Sequence, residues 1–148
     1  MERKLSNTQN KPAINIIAGV TNIKSIYNKM PCKVVVEHGY VARKRFSVDK
    51  MSEWHGNLWA PWIGDKYEPN KAIHIYTERG FKSEFEFEFN IWIFQDYCNP
   101  PNENAVKYSI NREFTYDNAL EIPGNNRGGG NKILTLNFND NNIDLEMI

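Results

Sequence analysis

The sequence lacks any long hydrophobic run, and this argues against a helix that crosses a membrane. Such a helix needs about 20 predominantly apolar residues in a row, and no stretch approaches that length. The N-terminal segment MERKLSNTQNKPA carries charges but no apolar core, so no secretory signal is visible. We therefore expect a soluble protein without a transmembrane segment, either cytoplasmic or released without a visible signal peptide.

Net charge is also absent, because 18 acidic residues balance 18 basic ones. A neutral chain has no long-range attraction to polyphosphate, so general nucleic-acid binding is not expected. Cysteine is scarce, with only Cys32 and Cys98 in the chain. These two could pair across a β-sandwich, although two reduced, buried thiols are the favoured interpretation for an intracellular chain.

The recognised motifs for catalysis and metal binding are missing from the sequence as well. His38, His55 and His74 are isolated from one another, whereas a zinc site needs three or four ligands. Asn139–Asp144 lacks the glycine and the distal glutamate of a calcium-binding loop, and the glycine-rich segment 123–131 lacks the Gly-Lys-Ser/Thr of a phosphate-binding loop. We therefore predict a protein that is not an enzyme and that needs no metal and no cofactor.

The most informative stretch is Phe81–Phe94, FKSEFEFEFNIWIF. Phenylalanine alternates with glutamate there, and only an extended strand with a period of two puts such a set on one face. From Ile91 the alternation becomes a continuous apolar run, which predicts a strand end covered on both faces. The stretch is longer than an ordinary strand, so we expect a break near Asn90. The carboxylates of residues 84–88 have a spacing that a glycosidase pair could use, but an open charged face is the favoured interpretation.

Shorter stretches also predict strands, with room for at most one short helix at Thr21–Pro31. These strands are Ala13–Val20, Lys33–Glu37, Tyr40–Val48, Ala72–Glu78, Val106–Tyr116 and Lys132–Phe138. Lys50–Pro69 is predicted to be a long loop and Pro123–Asn131 a flexible one. Strands at this spacing without intervening helices predict an all-β fold, a single-domain antiparallel β-sandwich of seven to eight strands. Residues 1–12 are expected to be a polar N-terminal tail and residues 13–148 the domain.

The long predicted loop contains three of the four tryptophans, Trp54, Trp59 and Trp62. Tryptophan is costly to expose, so three of them among loop-forming residues need either a core to fill or a ligand to bind. An indole stacks on sugar rings, and it also suits a membrane interface because it is apolar with one polar edge. We predict a binding surface made by these tryptophans, with Tyr67 and Arg127 at its rim.

Val34–Val48, VVVEHGYVARKRFSV, resembles the start of the C-terminal β-sandwich domain of thiol-activated, cholesterol-dependent cytolysins, in which a glycine precedes Tyr-Val-Ala and an alternating strand. Glu68–Glu78 and the segment VKYSINREF resemble later strands of that domain. The resemblance implies a β-sandwich and a surface-binding role. Two family features have no counterpart. Trp59-Ala60-Pro61-Trp62 lies earlier than the family's tryptophan-rich undecapeptide and has no cysteine, and Thr135-Leu136, which matches the family's cholesterol-reading pair in residue type, lies in a predicted strand.

These features predict a non-enzymatic binding domain that recognises a membrane lipid, a glycan or a protein partner, as a toxin component or a lectin-like protein. Two alternatives remain open. The chain could be a protease-inhibitor-like interaction module that inserts the loop Pro123–Asn131 into a partner. It could also be a structural protein that assembles through an exposed edge strand.

Overall fold

The computed structural model describes residues 19–39, 44–77, 88–96 and 104–148. These residues form eleven β-strands and one turn of 3-10 helix at Pro69–Lys71. The strands are β1 (Thr21–Asn28), β2 (Val34–His38), β3 (Arg45–Val48), β4 (Ser52–Trp59), β5 (Trp62–Ile63), β6 (Ile73–Thr77), β7 (Asn90–Asp96), β8 (Val106–Ile110), β9 (Leu120–Glu121), β10 (Gly130–Asn139) and β11 (Asn142–Met147). The predicted tail, residues 1–12, lies outside the described residues.

The strands form two sheets that enclose a common core. The first sheet has the order β11–β10–β1–β4, and the second has the order β3–β2–β6–β7–β8–β9, with β5 also beside β7. Most neighbouring strands are antiparallel, whereas β1 is parallel to β10 and β5 is parallel to β7. The predicted all-β, mainly antiparallel sandwich is therefore confirmed, with more strands than the sequence suggested.

The core is built from residues of both sheets that point inward. The second sheet contributes Val34, Val36, Ile73, Ile75, Ile91 and Ile93, and the first contributes Ile23, Ile26, Leu58, Leu134 and Leu136. Alternate residues of a strand share a face, so each strand delivers a set of apolar side chains to this layer. Cys32 is also buried in the core, and burial raises the pKa of its thiol. Cys98 lies outside the described residues, so the fate of the second thiol stays a prediction.

The short helix expected in Thr21–Pro31 is not formed, because strand β1 occupies most of that segment. Ile23 and Ile26 are both completely buried in the core although they are three residues apart. Relative to β10, a β-bulge after Ile23 leaves Lys24 as an extra residue, so the pairing resumes at Ser25. Because of the extra residue, two side chains that are three positions apart lie on the same face of the strand. In the sequence this spacing looks like that of a helix.

The segment Lys50–Pro69 is not a long loop, because it contains strands β4 and β5. Gly56 lies inside β4 next to the indole of Trp54. A Cβ atom at Gly56 would lie 2.5 Å from that ring. The glycine therefore permits the close approach of the aromatic ring and does not end the strand.

Strand β7 is the buried half of the stretch Phe81–Phe94. It begins at Asn90, where the break was expected, and residues 81–87 lie outside the described part of the chain. Its two faces are both covered, as predicted. Ile93 points into the core, and Phe94 on the outer face is completely buried.

The cover on that outer face comes from a segment predicted to continue strand β8. The strand ends at Ile110, and the chain then folds back over β7. Phe114 and Tyr116 pack their rings against Phe94, with centroid distances of 5.3 and 5.6 Å. Trp92 also lies on this outer face, and its ring stacks on that of His74 with a centroid distance of 3.9 Å.

The C-terminal residues form a β-hairpin. Strands β10 and β11 pair up to Asn139 and Asn142, and the two residues between them have φ angles of 50° and 65°. Such left-handed angles at both central residues define a type I′ hairpin turn, which suits Asp140 and Asn141. Strand β11 is not among the strands that the sequence predicted.

Candidate functional site

The chain segment from Trp59 to Trp62 crosses from one sheet to the other at one end of the sandwich. Strand β4 belongs to the first sheet and β5 to the second. The backbone between them is held on both sides, because Ala60 N donates to Thr21 O at 2.9 Å and Gln95 N donates to Pro61 O at 2.7 Å. The two tryptophans at the ends of this segment therefore have fixed backbone positions.

Trp59 and Trp62 line a cleft with a volume of about 490 Å³, here called the tryptophan cleft. Its lining also includes Val20, His38, Pro61 and Lys71. Trp59 is 51% exposed, whereas Trp62 is half-buried. The cleft thus combines an exposed indole with a mostly apolar floor and a few polar groups.

His38 connects the second sheet to the backbone of Trp59. Its Nε2 lies 2.6 Å from the carbonyl oxygen of Trp59, and because a carbonyl only accepts, this nitrogen carries the hydrogen and donates it. His38 is buried, and burial lowers the pKa of its imidazole. The hydrogen bond to Trp59 acts in the opposite direction, and the positive charge of Lys44 lowers the pKa further.

A second, smaller cleft of about 230 Å³ lies against the same indole and is here called the lysine cleft. It shares His38 and Trp59 with the tryptophan cleft and adds Lys44, Asn57 and Leu58. The side chain of Asn57 is oriented by its Oδ1, which accepts hydrogen bonds from Asn22 Nδ2 at 3.0 Å and from Lys24 Nζ at 2.9 Å.

The opposite border of the tryptophan cleft is an ion pair. Lys71 Nζ contacts Glu68 Oε2, and this hydrogen bond is the main reason why the pKa of Glu68 is lowered. Tyr67, beside Glu68, is 78% exposed on a turn where its backbone N donates to Asp65 Oδ1 at 2.8 Å. The charge of Lys71 is therefore already balanced by a neighbouring carboxylate.

The structure brings together two of the five residues predicted for the site, Trp59 and Trp62. Trp54 belongs to the same strand as Trp59, but its ring stacks on Phe46 at 4.2 Å with an angle of 14° and packs against the core. Tyr67 stands near the border of the cleft without lining it. Arg127 forms an ion pair with Glu121 at 2.9 Å and does not line either cleft.

The residues that the sequence interpretation missed are the polar ones, His38, Lys44, Asn57 and Lys71. His38, Lys44 and Lys71 come from other strands and turns than the tryptophans, and no spacing along the chain connects these three to them. The alternation of residues in β4 places Asn57 and His55 on the same face as Trp59. This could be predicted only if the segment had been recognised as a strand.

A third cleft, of about 430 Å³, lies on the outer face of the second sheet and includes Arg45, His74, Tyr76, Glu88 and Asn90. Its polar groups are largely hydrogen-bonded to one another and to Glu37. Arg45 Nε lies 3.4 Å from Glu37 Oε2, the Tyr76 hydroxyl donates to the same carboxylate, and His74 Nε2 lies 2.7 Å from Asn90 Oδ1. This internal pairing makes the third cleft a weaker candidate than the tryptophan cleft.

The outer face of the first sheet carries a hydroxyl–imidazole–carboxylate chain that the sequence did not indicate. Ser25 Oγ lies 2.8 Å from His55 Nδ1, and His55 Nε2 lies 3.1 Å from Glu53 Oε1. This order of groups is the one used to activate a nucleophilic serine. The side chains of His55 and Glu53 are 63% and 56% exposed, so water competes with both hydrogen bonds.

Comparisons of the chain with family models, with curated proteins and with solved structures return no match. Within the described ranges, no helix has the length and apolar character needed to cross a membrane. In the same ranges, no group of three or more His, Cys, Asp and Glu side chains is arranged to hold a metal ion.

Proposed function

We propose that this protein is a non-enzymatic binding domain that holds a sugar ring of a glycan against the indole of Trp59. The observation that carries the proposal is the exposure of this indole, 51%, on a backbone that is hydrogen-bonded to both sheets. An aromatic plane that is exposed yet fixed offers a large apolar contact, and little conformational entropy is lost when a ring stacks on it.

The shape of the tryptophan cleft favours a ligand of the size of one or two sugar rings. Its volume of about 490 Å³ lies within the range of about 300–1,000 Å³ typical of small-molecule sites. Such sites combine apolar walls with a few polar groups that orient the ligand. Here Trp59 and Trp62 provide the apolar contact, and Lys71 provides a polar edge. A bilayer surface is much larger than this cleft and could reach only its rim.

The resemblance to the cytolysin domain supports a β-sandwich with a surface-binding role, and it does not choose between lipid and glycan. Of the motif Gly39-Tyr40-Val41-Ala42, only Gly39 lies within the described residues. The strands on either side of the motif, β2 and β3, are formed. A membrane lipid and a protein partner therefore remain alternative ligands, and a binding experiment has to distinguish them from a glycan.

The alternative of a loop-inserting interaction module has less support. Much of the predicted flexible loop Pro123–Asn131 is hydrogen-bonded, because Met147 N donates to Pro123 O at 2.8 Å and Asn125 N donates to Met147 O at 2.7 Å. The side chain of Asn126 is buried and donates to Ile122 O at 2.7 Å. A segment held in this way would have to give up these bonds to enter a partner's cleft.

Self-assembly through an edge strand also has less support than glycan binding. Strand β11 lies at the edge of the first sheet, and its outward residues include Asp144 and Glu146. Charged side chains on an edge strand oppose pairing with another copy, because they would be brought together and desolvated.

A direct test is calorimetric titration of the whole chain with a panel of neutral and acidic oligosaccharides, and with vesicles prepared with and without sterol. We expect saturable binding to one class of oligosaccharide. Trp59→Ala should weaken that binding at least tenfold, because a central tryptophan is commonly worth more than about 1.4 kcal/mol. Tyr67→Ala is the matched control, since it removes an exposed aromatic side chain outside the cleft.

The proposal is wrong if the protein binds vesicles and no oligosaccharide, or if Trp59→Ala leaves oligosaccharide binding unchanged. Circular dichroism of both variants should match that of the parent protein, which excludes unfolding as the cause of a loss. Equal losses in Trp59→Ala and Tyr67→Ala would place the contact on the turn and outside the tryptophan cleft.

A further inference from the structure

We propose that the glycan carries an anionic group, a carboxylate or a sulfate, and that Lys44 binds this group in the lysine cleft. The inference rests on the proposed function, because it extends the same site by one subsite. The two clefts share Trp59 and His38. A ligand whose sugar ring stacks on the indole can therefore reach from one cleft into the other.

The charges around the two clefts are unequal. In the tryptophan cleft, the ammonium group of Lys71 is paired with Glu68. In the lysine cleft, Lys44 Nζ lies 5.9 Å from the ring centroid of Trp54, and within the described ranges it forms no ion pair. The smaller cleft therefore has a positive charge that no carboxylate of the described residues balances.

A second ammonium group adds to this charge. Lys24 Nζ donates to Asn57 Oδ1 at 2.9 Å, and it also forms no ion pair with the residues that the structure describes. Because Asn57 lines the lysine cleft, Lys24 lies next to the lining and contributes a positive potential there. Two cations near a concave, partly desolvated surface attract an anion more strongly than either would alone.

The positive charge of Lys44 also acts on His38, whose pKa is lowered mainly by burial and to a smaller extent by this charge. The field of this lysine therefore extends to the floor that both clefts share. An anion bound by Lys44 would lie next to the stacked ring. This position suits an acidic sugar, or a sulfate on the same or the neighbouring ring.

The experiment compares oligosaccharides of one backbone that are neutral, carboxylated or sulfated, by calorimetry with the full chain. We expect at least fivefold tighter binding of one anionic form than of the neutral form, and a loss of this preference as the salt concentration rises. Lys44→Gln should lose most of the preference for the anionic form, because only Lys24 then remains, whereas Lys44→Arg should keep the preference. Lys50→Gln is the control, because Lys50 is exposed at the other end of strand β4.

The outcomes separate this inference from the proposed function. Equal binding of all three forms by the parent protein, together with a loss in Trp59→Ala, would overturn the anionic subsite and support the glycan site. A preference that is as strong in Lys44→Gln as in the parent protein would also overturn the role of Lys44. Binding of none of the oligosaccharides would overturn both proposals. The preference for the carboxylated or the sulfated form identifies the anion.

Discussion

Removing the charge of Lys107 should destabilise the fold far more than removing a charge at the surface. Lys107 Nζ lies 2.7 Å from Asp96 Oδ2, and their side chains are 6% and 0% exposed. The hydroxyl group of Tyr116 donates to the other carboxylate oxygen at 2.8 Å. The change Lys107→Met keeps an unbranched apolar side chain and removes the ammonium group, so the carboxylate of Asp96 stays buried without this cation.

Two opposing quantities determine the size of the effect. At 2.7 Å and an effective dielectric constant of about 20, the attraction between the two unit charges is about 6 kcal/mol. Burial costs several kcal/mol for each ion, so the intact pair contributes little net stability. When one partner is removed, the desolvation cost of the other remains. We therefore expect Lys107→Met to lower the free energy of unfolding by about 3–5 kcal/mol.

Urea denaturation followed by circular dichroism measures this loss. Arg127→Met is the matched control, because the Arg127–Glu121 pair is 47% and 34% exposed and such pairs contribute about 0–1 kcal/mol. The double variant Asp96→Asn/Lys107→Met should lose less stability than Lys107→Met alone. A loss below about 1 kcal/mol for Lys107→Met, or a loss equal to that of the control, would refute the reasoning.

Three further predictions concern other parts of the structure. Trp54→Ala should lower the free energy of unfolding by about 2–4 kcal/mol, because it removes a stacked ring from the edge of the sandwich, and Trp54→Phe should lose less. A fluorophosphonate that labels nucleophilic serines should leave Ser25 unmodified in mass spectrometry. Urea denaturation should show a loss of stability as the pH falls below 6.5, the ordinary pKa of histidine. Burial lowers the pKa values of His38 and His74, so in this range the unfolded chain binds more protons than the folded chain.

Each of these predictions has a result that would contradict it. Equal losses of stability in Trp54→Ala and Trp54→Phe would mean that an aromatic ring stacked on Phe46 does not contribute to the stability of the fold. A phosphonate adduct on Ser25 would show that the hydroxyl–imidazole–carboxylate chain is reactive and that the role is not purely binding. The acid-induced loss should be smaller in the double variant His38→Gln/His74→Gln, and an unchanged loss would assign it to other groups.

The elements that could be predicted from the sequence are those whose pattern is complete within one segment. Val34, Val35 and Val36 are β-branched neighbours, and they form most of strand β2. Leu134 and Leu136 alternate with polar residues, and both are buried in strand β10. In each case the local preference of the chain and the final packing agree.

The errors came from places where tertiary structure changes the meaning of a spacing. The bulge at Lys24 gives strand β1 the spacing of a helix, and Gly56 lies inside a strand because an aromatic ring needs the space. Lys107 alternates with Val106 and would be expected at the surface. It is buried beside Asp96, the carboxylate that also accepts a hydrogen bond from Tyr116 in the segment that folds back after β8. None of these contacts can be predicted from the residues that are adjacent in the sequence.

The tryptophans show the same limit at the candidate site. Trp54 and Trp59 lie in one strand five residues apart, and an odd separation in a regular strand sends two side chains to opposite faces. Only one of them could therefore belong to a common surface with Trp62, even if the strand had been recognised. The choice of Trp59 depends on His38 and Lys44, which approach it from the other sheet. These residues come close to Trp59 only because the two sheets pack together. Variants of His38 and Lys44 therefore test the proposed site more directly than the number of tryptophans in the sequence does.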